Sequence, residues 1–174
     1  MGPYFSTKSK HQTGSPDYLS RDIYFLKNNP YKAEPLGLGL AACIRRRYPE
    51  LLAYDFLVAV PQHPDELHVN EHTGDLFNPI DSLVSWLNSD VGIKVITPLT
   101  KTRPQKMKGL NYHERREATE GLYNCNSDEV AQKRILLVDD VATTSSTLDR
   151  CAEALMKSKA VEVSAIVCGK EYLG

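Results

Sequence analysis

Only 4 cysteines occur in 174 residues, Cys43, Cys125, Cys151 and Cys168, and no two of them share a Cys-x-x-Cys spacing. That excludes a disulfide-stapled scaffold and a cysteine-based zinc module. Three of the four fall in or beside apolar helix and strand patterns, where a free thiol behaves as a small apolar residue, so reduced thiols and a cytoplasmic location are expected. No apolar run approaches the roughly 20 residues a membrane span requires. The amino-terminal segment also lacks the apolar stretch of a secretion signal. A formal net charge of -1 speaks against a general nucleic-acid-binding surface. There is no internal repeat. Residues 1–16, rich in Ser, Thr, Gly, Lys and Pro and without periodicity, are expected to form a loose arm, leaving one domain over 17–174.

What is present is ordinary in bulk, at 41% hydrophobic and 25% charged residues, enough for one substantial core. The pattern is strand alternating with helix. Asp55 to Val60 reads as a buried strand ended by Pro61, which has no N–H for a ladder. Ile80, Leu83, Val84 and Leu87 form a helical stripe, and Gly92 to Ile96 a short strand. Upstream, Leu36, Leu40, Ile44 and Leu51 predict a helix with Arg45, Arg46 and Arg47 on its wet side. Ile135 to Val138 is apolar on both faces, as in a parallel strand covered by helices. Leu148, Cys151, Ala152 and Leu155 then mark a helix over 146–159, and Val161 to Cys168 another strand. The sum is an α/β fold with a central, mainly parallel sheet flanked by helices.

The chemistry concentrates where Ile135 to Val138 ends. Asp139 and Asp140 follow, then Val141 and Ala142, then Thr143, Thr144, Ser145, Ser146 and Thr147. The side chains of this loop are small and mostly hydroxylated, and a helix starts within it. The first N–H groups of a helix lack intrahelical partners and its dipole favours negative charge, so Ala142 to Thr147 reads as a phosphate cradle. Two acceptor carboxylates beside a phosphate call for vicinal hydroxyls or a metal. A phosphate and a diol one ribose apart describe a 5-phosphoribosyl group.

This stretch resembles the phosphoribosyl-diphosphate (PRPP) signature of type I phosphoribosyltransferases, the VDDVxTTG-type loop. Val138 to Thr144 match it residue for residue, and Ser145 stands where that signature has glycine. The resemblance implies transfer of 5-phosphoribosyl from PRPP to a nitrogen acceptor, with release of diphosphate and with Mg²⁺ as cofactor. It implies that Asp139 and Asp140 hold the ribose hydroxyls directly or through Mg²⁺, and that Ala142 to Thr147 hold the 5-phosphate. Pro61, Gln62 and His63 would approach the diphosphate. A flexible hood would occupy Lys101 to Glu117, with Lys101, Arg103 and Lys106 closing on the leaving group. A non-catalytic PRPP- or nucleotide-binding regulatory protein of the same fold is the alternative. A homodimer is the expected assembly.

Finer features are similar to the ComF-like branch. Val60-Pro61-Gln62-His63-Pro64 is similar to its first turn, and Thr102, Gln105, Leu110, Arg115, Gly121 and Tyr123 to its hood series. The branch's Arg-Gly-Phe-Asn-Gln-like segment is reduced here to Thr73 to Pro79, without the arginine, and its cysteine-rich zinc ribbon is absent. His63, His68 and His72 lie close enough together to consider zinc, although only His68 and His72 have an i, i+4 spacing and their surroundings read as loop. Tyr112, Tyr123 and Tyr172 could stack on a base or serve ordinary packing.

Overall fold

The structure, a computed structural model, describes residues 3–4, 18–105, 114, 117, 119–143 and 145–171, with only the backbone at 3–4 and 171. Helices α1 (Tyr18–Leu26), α2 (Ala33–Arg47) and α3 (Pro79–Val91) precede α4 (Ser146–Lys157). The strands are β1 (Pro3–Tyr4), β2 (Phe56–Ala59), β3 (His68–Val69), β4 (Leu76–Phe77), β5 (Lys94–Val95), β6 (Leu99–Lys101), β7 (Tyr123–Cys125), β8 (Arg134–Ala142) and β9 (Glu162–Glu171). One five-stranded sheet runs β1-β9-β8-β2-β5 with every pairing parallel. Two antiparallel ribbons, β3–β4 and β6–β7, stand beside it.

Both faces of the sheet are covered, which explains the unbroken apolar runs. Leu57, Ala59, Leu136, Val138 and Ile166 face one core with Ile23 and Leu26 of α1, Leu36, Leu40 and Ile44 of α2, and Leu83 and Leu87 of α3. Phe56, Val58, Ile135 and Leu137 face a second core with Cys151 and Leu155 of α4 and with Leu99, Leu122 and Tyr123 of the β6–β7 ribbon. The alternation along β2 and β8 is the period of 2 of a pleated strand, with apolar partners waiting on both sides. All four cysteines are free. Among the described residues no helix is long and apolar enough to cross a membrane.

Several boundaries differ from the sequence pattern for local reasons. The helix expected to reach Leu51 stops at Arg47, because Pro49 disfavours helical geometry at Tyr48, and Leu51 lies in a separate 3₁₀ turn over Pro49–Ala53. Arg45 to Arg47 are exposed, and Arg45 pairs with Asp90 at 2.7 Å across α2 and α3. The strand expected from Gly92 begins at Lys94, since Gly92 (φ 72°) caps α3 in the left-handed region. Within the arm expected to be loose, Pro3–Tyr4 pairs with Lys170–Glu171 at the sheet edge. The remainder of 1–16 lies outside the described residues. So do 106–113, 115, 116 and 118, and with them most of the expected hood. The described ends of that segment form the β6–β7 ribbon.

Helices α2 and α3 approach closely at Gly37, where an added Cβ would sit 2.6 Å from Trp86 Cβ and 3.0 Å from the backbone of Leu83 and Leu87. Gly37→Ala should therefore destabilise by about 1–3 kcal/mol, overpacking outweighing the gain of about 1 kcal/mol in helix propensity. Gly39, exposed in the same helix and with nothing within 4 Å of its Cβ position, is the control. Gly39→Ala should stabilise by about 0.5–1 kcal/mol. Denaturant unfolding of both variants checks this, and equal stabilisation would show that the α2–α3 crossing relaxes freely.

Candidate functional site

Strands β2 and β8 are neighbours, but the sheet continues from β2 to β5 on one side and from β8 to β9 on the other. Loops leaving the carboxyl ends of two such strands diverge and open a crevice. β8 pairs with β2 only from Ile135 to Val138, and with β9 as far as Ala142. The last bond toward β2 is Val60 N–H to Val138 O at 3.0 Å, after which Pro61 offers no donor. Asp139 and Asp140, expected just past the strand, thus lie within it, on a stretch bonded on one side only.

Strand alternation starts the two side chains toward opposite faces, yet at the open end of β8 their carboxyl groups stay close enough to act on each other. Asp139 follows Ile135 and Leu137 toward α4, and its charge acts on Tyr123 and Cys151. Asp140 follows Leu136 and Val138 toward α1, and its charge acts on His68. Desolvation, reinforced by the charge of Asp140, pushes the Asp139 carboxyl well above the ordinary carboxylate range. The Asp140 N–H donated to Asp139 Oδ1 at 2.9 Å and the charge of Lys27 pull the other way. As a residue Asp139 is half-buried, as suits a side chain on the open stretch of β8 that lines the crevice.

β8 passes into α4 through Thr143 and Ser145, with Thr144 outside the described residues. Ser145 adopts φ 60° and ψ 1° and precedes α4 without a side-chain capping bond. The left-handed turn explains why glycine suits this position, and a serine there costs on the order of 1–3 kcal/mol. A cavity of about 280 Å³ opens at this turn, lined by Asp139, Asp140, Thr143, Ser145, Ser146, Thr147 and, from the end of α1, Lys27. Tyr123 of β7 lies close enough to the same turn for the Thr147 side chain to act on its phenol. The acids and the cradle therefore share one cavity.

The loop after β2 carries Pro61, Gln62 and His63. Gln62 Oε1 is buried without a hydrogen-bond partner among the described residues, so it has an unused acceptor. His63 starts a 3₁₀ turn over Pro64–Glu66, its Nδ1 accepting from Asp65 N–H. Glu66 accepts from His63 N–H at 3.1 Å, from Gln105 N–H at 2.8 Å and from Lys101 Nζ at 2.5 Å. Desolvation alone would raise the Glu66 carboxyl, but Lys101 and the two amides hold it below its ordinary value. Lys101, expected over the leaving group, is thus paired with Glu66. Arg103 donates to Glu120 O at 3.2 Å, and Lys106, Leu110, Tyr112, Arg115 and Tyr172 lie outside the described residues.

The histidines diverge. His72 sits against Tyr31 and Asn29, whereas His68 is turned toward Lys27 and Asp140, and burial lowers its pKa. Among the described residues no three His, Cys, Asp or Glu side chains gather at one point, which removes the zinc reading of this cluster. The residues missed in the sequence are Lys27, which lines the cavity, and Glu66, which joins the loop after β2 to the ribbon. Lys27 has no local signal, because α1 reaches the cavity only through tertiary packing. Glu66 has one, the capping-box spacing from His63 with Pro64 between.

No protein-family model matches the sequence, and no curated protein matches it. Solved structures do match in fold. One is the glutamine phosphoribosylpyrophosphate amidotransferase of B. subtilis complexed with ADP and GMP, at 19% identity and a TM-score of 0.51, covering 78% of this chain and 26% of that one. Another is the purine phosphoribosyltransferase of Pyrococcus horikoshii Ot3, at 17% identity and a TM-score of 0.45, covering 83% of each chain. The chain thus spans about a quarter of the amidotransferase's length. The fold is that of type I phosphoribosyltransferases.

Two outcomes follow from the strain at this turn and this carboxyl. Ser145→Gly should stabilise the protein by about 1 kcal/mol while Ser145→Ala does not, because only glycine relieves the left-handed conformation. Thermal unfolding distinguishes them. A carboxyl whose folded pKa is raised stabilises the fold below its unfolded pKa, and that contribution is lost as pH rises through the folded value. Asp139→Asn should therefore melt higher than the parent at pH 7–8, with the gain fading as pH falls toward about 4. A variant melting lower at pH 7–8 would show that the fold needs the charge.

Proposed function

We propose that the protein is a PRPP-dependent phosphoribosyltransferase, moving 5-phosphoribosyl to a nitrogen of a nucleobase or amine with release of diphosphate. The observation that carries this reading is the shared cavity, in which two adjacent carboxylates face a hydroxylated left-handed turn at the head of α4. In the reaction the ribose C1–O bond to diphosphate breaks, a C1–N bond forms, and the acceptor nitrogen loses its proton. The transition state has oxocarbenium character, so orientation and charge placement carry the catalysis. Asp139 and Asp140 accept from the ribose hydroxyls. The donors in turn relieve the unfavourable proximity of the two acids. Thr143, Thr144 and Thr147 donate to the 5-phosphate with the first amides of α4.

Mg²⁺ fits this reading, because the carboxylates and Gln62 Oε1, which has no partner among the described residues, are hard oxygen donors. When bound, it supplies positive charge to the leaving diphosphate. Cations of the hood, Arg103 and Lys106, would close on the same group, with Pro61 to His63 beneath it. The ComF-like branch fits best, on Val60 to Pro64 and on Thr102, Gln105, Gly121 and Tyr123, and a cytoplasmic homodimer belongs to the same reading. One observation favours a second reading, a non-catalytic PRPP or nucleotide sensor. Lys101, a cation assigned to the leaving group, is already neutralised by Glu66.

Diphosphate release from PRPP across a panel of nucleobases and amines separates the two. Turnover with one acceptor is expected, and calorimetric binding of PRPP without turnover on any acceptor would select the sensor. In either case Asp139→Asn with Asp140→Asn should reduce PRPP and ribose 5-phosphate affinity by at least tenfold, a loss above about 1.4 kcal/mol, while the variant stays folded. Undiminished affinity would overturn the assignment of the site.

A further inference from the structure

Three donors converge on Glu66 from two loops. His63 N–H comes from the loop after β2, while Gln105 N–H and Lys101 Nζ come from the foot of the β6–β7 ribbon, at 3.1, 2.8 and 2.5 Å. Side chains at this contact are largely shielded, 10% exposed for Lys101 and 23% for Glu66. Two backbone amides and an ammonium around one carboxylate form an anion-binding arrangement, here filled by the protein itself. The loops that supply it are those that would take the diphosphate under the proposed function. A diphosphate carries more charge and more acceptor oxygens than a carboxylate and could engage all three donors, but only after Glu66 has left them. A ligand bearing only the 5-phosphate makes no claim on them.

We infer that Glu66 is a specificity-determining residue that occupies, in the unliganded protein, the place a ligand's diphosphate takes between Lys101 and the amides of His63 and Gln105. The inference rests on the PRPP reading of the neighbouring cavity. It gives Glu66 two effects. It keeps Lys101 and the foot of the ribbon in place while the site is open, and it sets a threshold that only a polyanion crosses. Monophosphates and isolated anions of low charge gain too little to displace it.

The test is calorimetry of inorganic diphosphate, PRPP and ribose 5-phosphate with the full chain, its Glu66→Gln variant and the Glu66→Gln, Lys101→Gln double variant. Glu66→Gln keeps the shape and removes the competing charge, so diphosphate and PRPP should bind about tenfold more tightly and ribose 5-phosphate unchanged. The added Lys101→Gln should cancel that gain. In the wild-type protein, the amide resonances of His63 and Gln105 should shift on saturation with inorganic diphosphate and stay in place with ribose 5-phosphate, and this measurement decides the matter if the variants fail to fold. Diphosphate binding that is equal or weaker in Glu66→Gln, or amides that do not respond, would overturn the inference and leave Glu66 a fixed strut. Failure of both PRPP and ribose 5-phosphate to bind would instead overturn the PRPP reading, with the diphosphate arm still deciding whether Glu66 guards an anion site.

Discussion

The site depends on the unequal length of two neighbouring strands. β8 is bonded on both sides as far as Val138 and on one side from Asp139 to Ala142, because β2 ends at Ala59 and Pro61 cannot extend the ladder. The overrun holds the acids on a strand, where β9 fixes their backbone, while the β2 side stays open. A longer β2 would close the crevice. A shorter β8 would leave the acids on a loop, without the alternation that sends Asp139 toward α4 and Asp140 toward α1.

Unfavourable features gather where the chain leaves β2 and β8. Asp139 is desolvated beside Asp140, Ser145 is held in the left-handed region without a side-chain capping bond, and Gln62 Oε1 is buried without a partner among the described residues. Each costs free energy, and under the proposed function each would be relieved by a different part of one ligand: donors or a cation for the acids and the amide oxygen, a phosphate for the turn. Strain concentrated in this way is characteristic of functional sites, where the surrounding core holds an arrangement that local preference would not. The two cores, with Leu57, Leu136, Leu137 and Leu155 essentially fully buried, provide that support.

The β6–β7 ribbon links the parts of the site. Its foot meets the loop after β2 through Glu66, and Tyr123 of its second strand lies beside Thr147 at the start of α4. Glu66 ties the loop after β2 to the ribbon, and Tyr123 places the other strand beside the start of α4. The ribbon is positioned by burial of Leu99, Leu122 and Tyr123 in the second core, and the Glu66 contacts fix its foot.

Local sequence determined the elements and most of the cradle. Period 2 and period 3.6 apolar patterns specify β2, β8, α3 and α4, since each pattern fits only one backbone geometry when its apolar side must be buried. The Asp-Asp pair and the hydroxylated run to Thr147 were legible because chemistry and chain order coincide there. The strain at Ser145 was legible as a question, whether the turn needs φ > 0, and the backbone answered it. What only the tertiary structure decided is which distant groups meet. Lys27 reaches the cavity because α1 packs on one face of the sheet, and Lys101 meets Glu66 because the ribbon folds over the β2 loop. Charged side chains at loop and helix ends carry no periodicity. Their partners are set by long-range packing, so no local pattern records them.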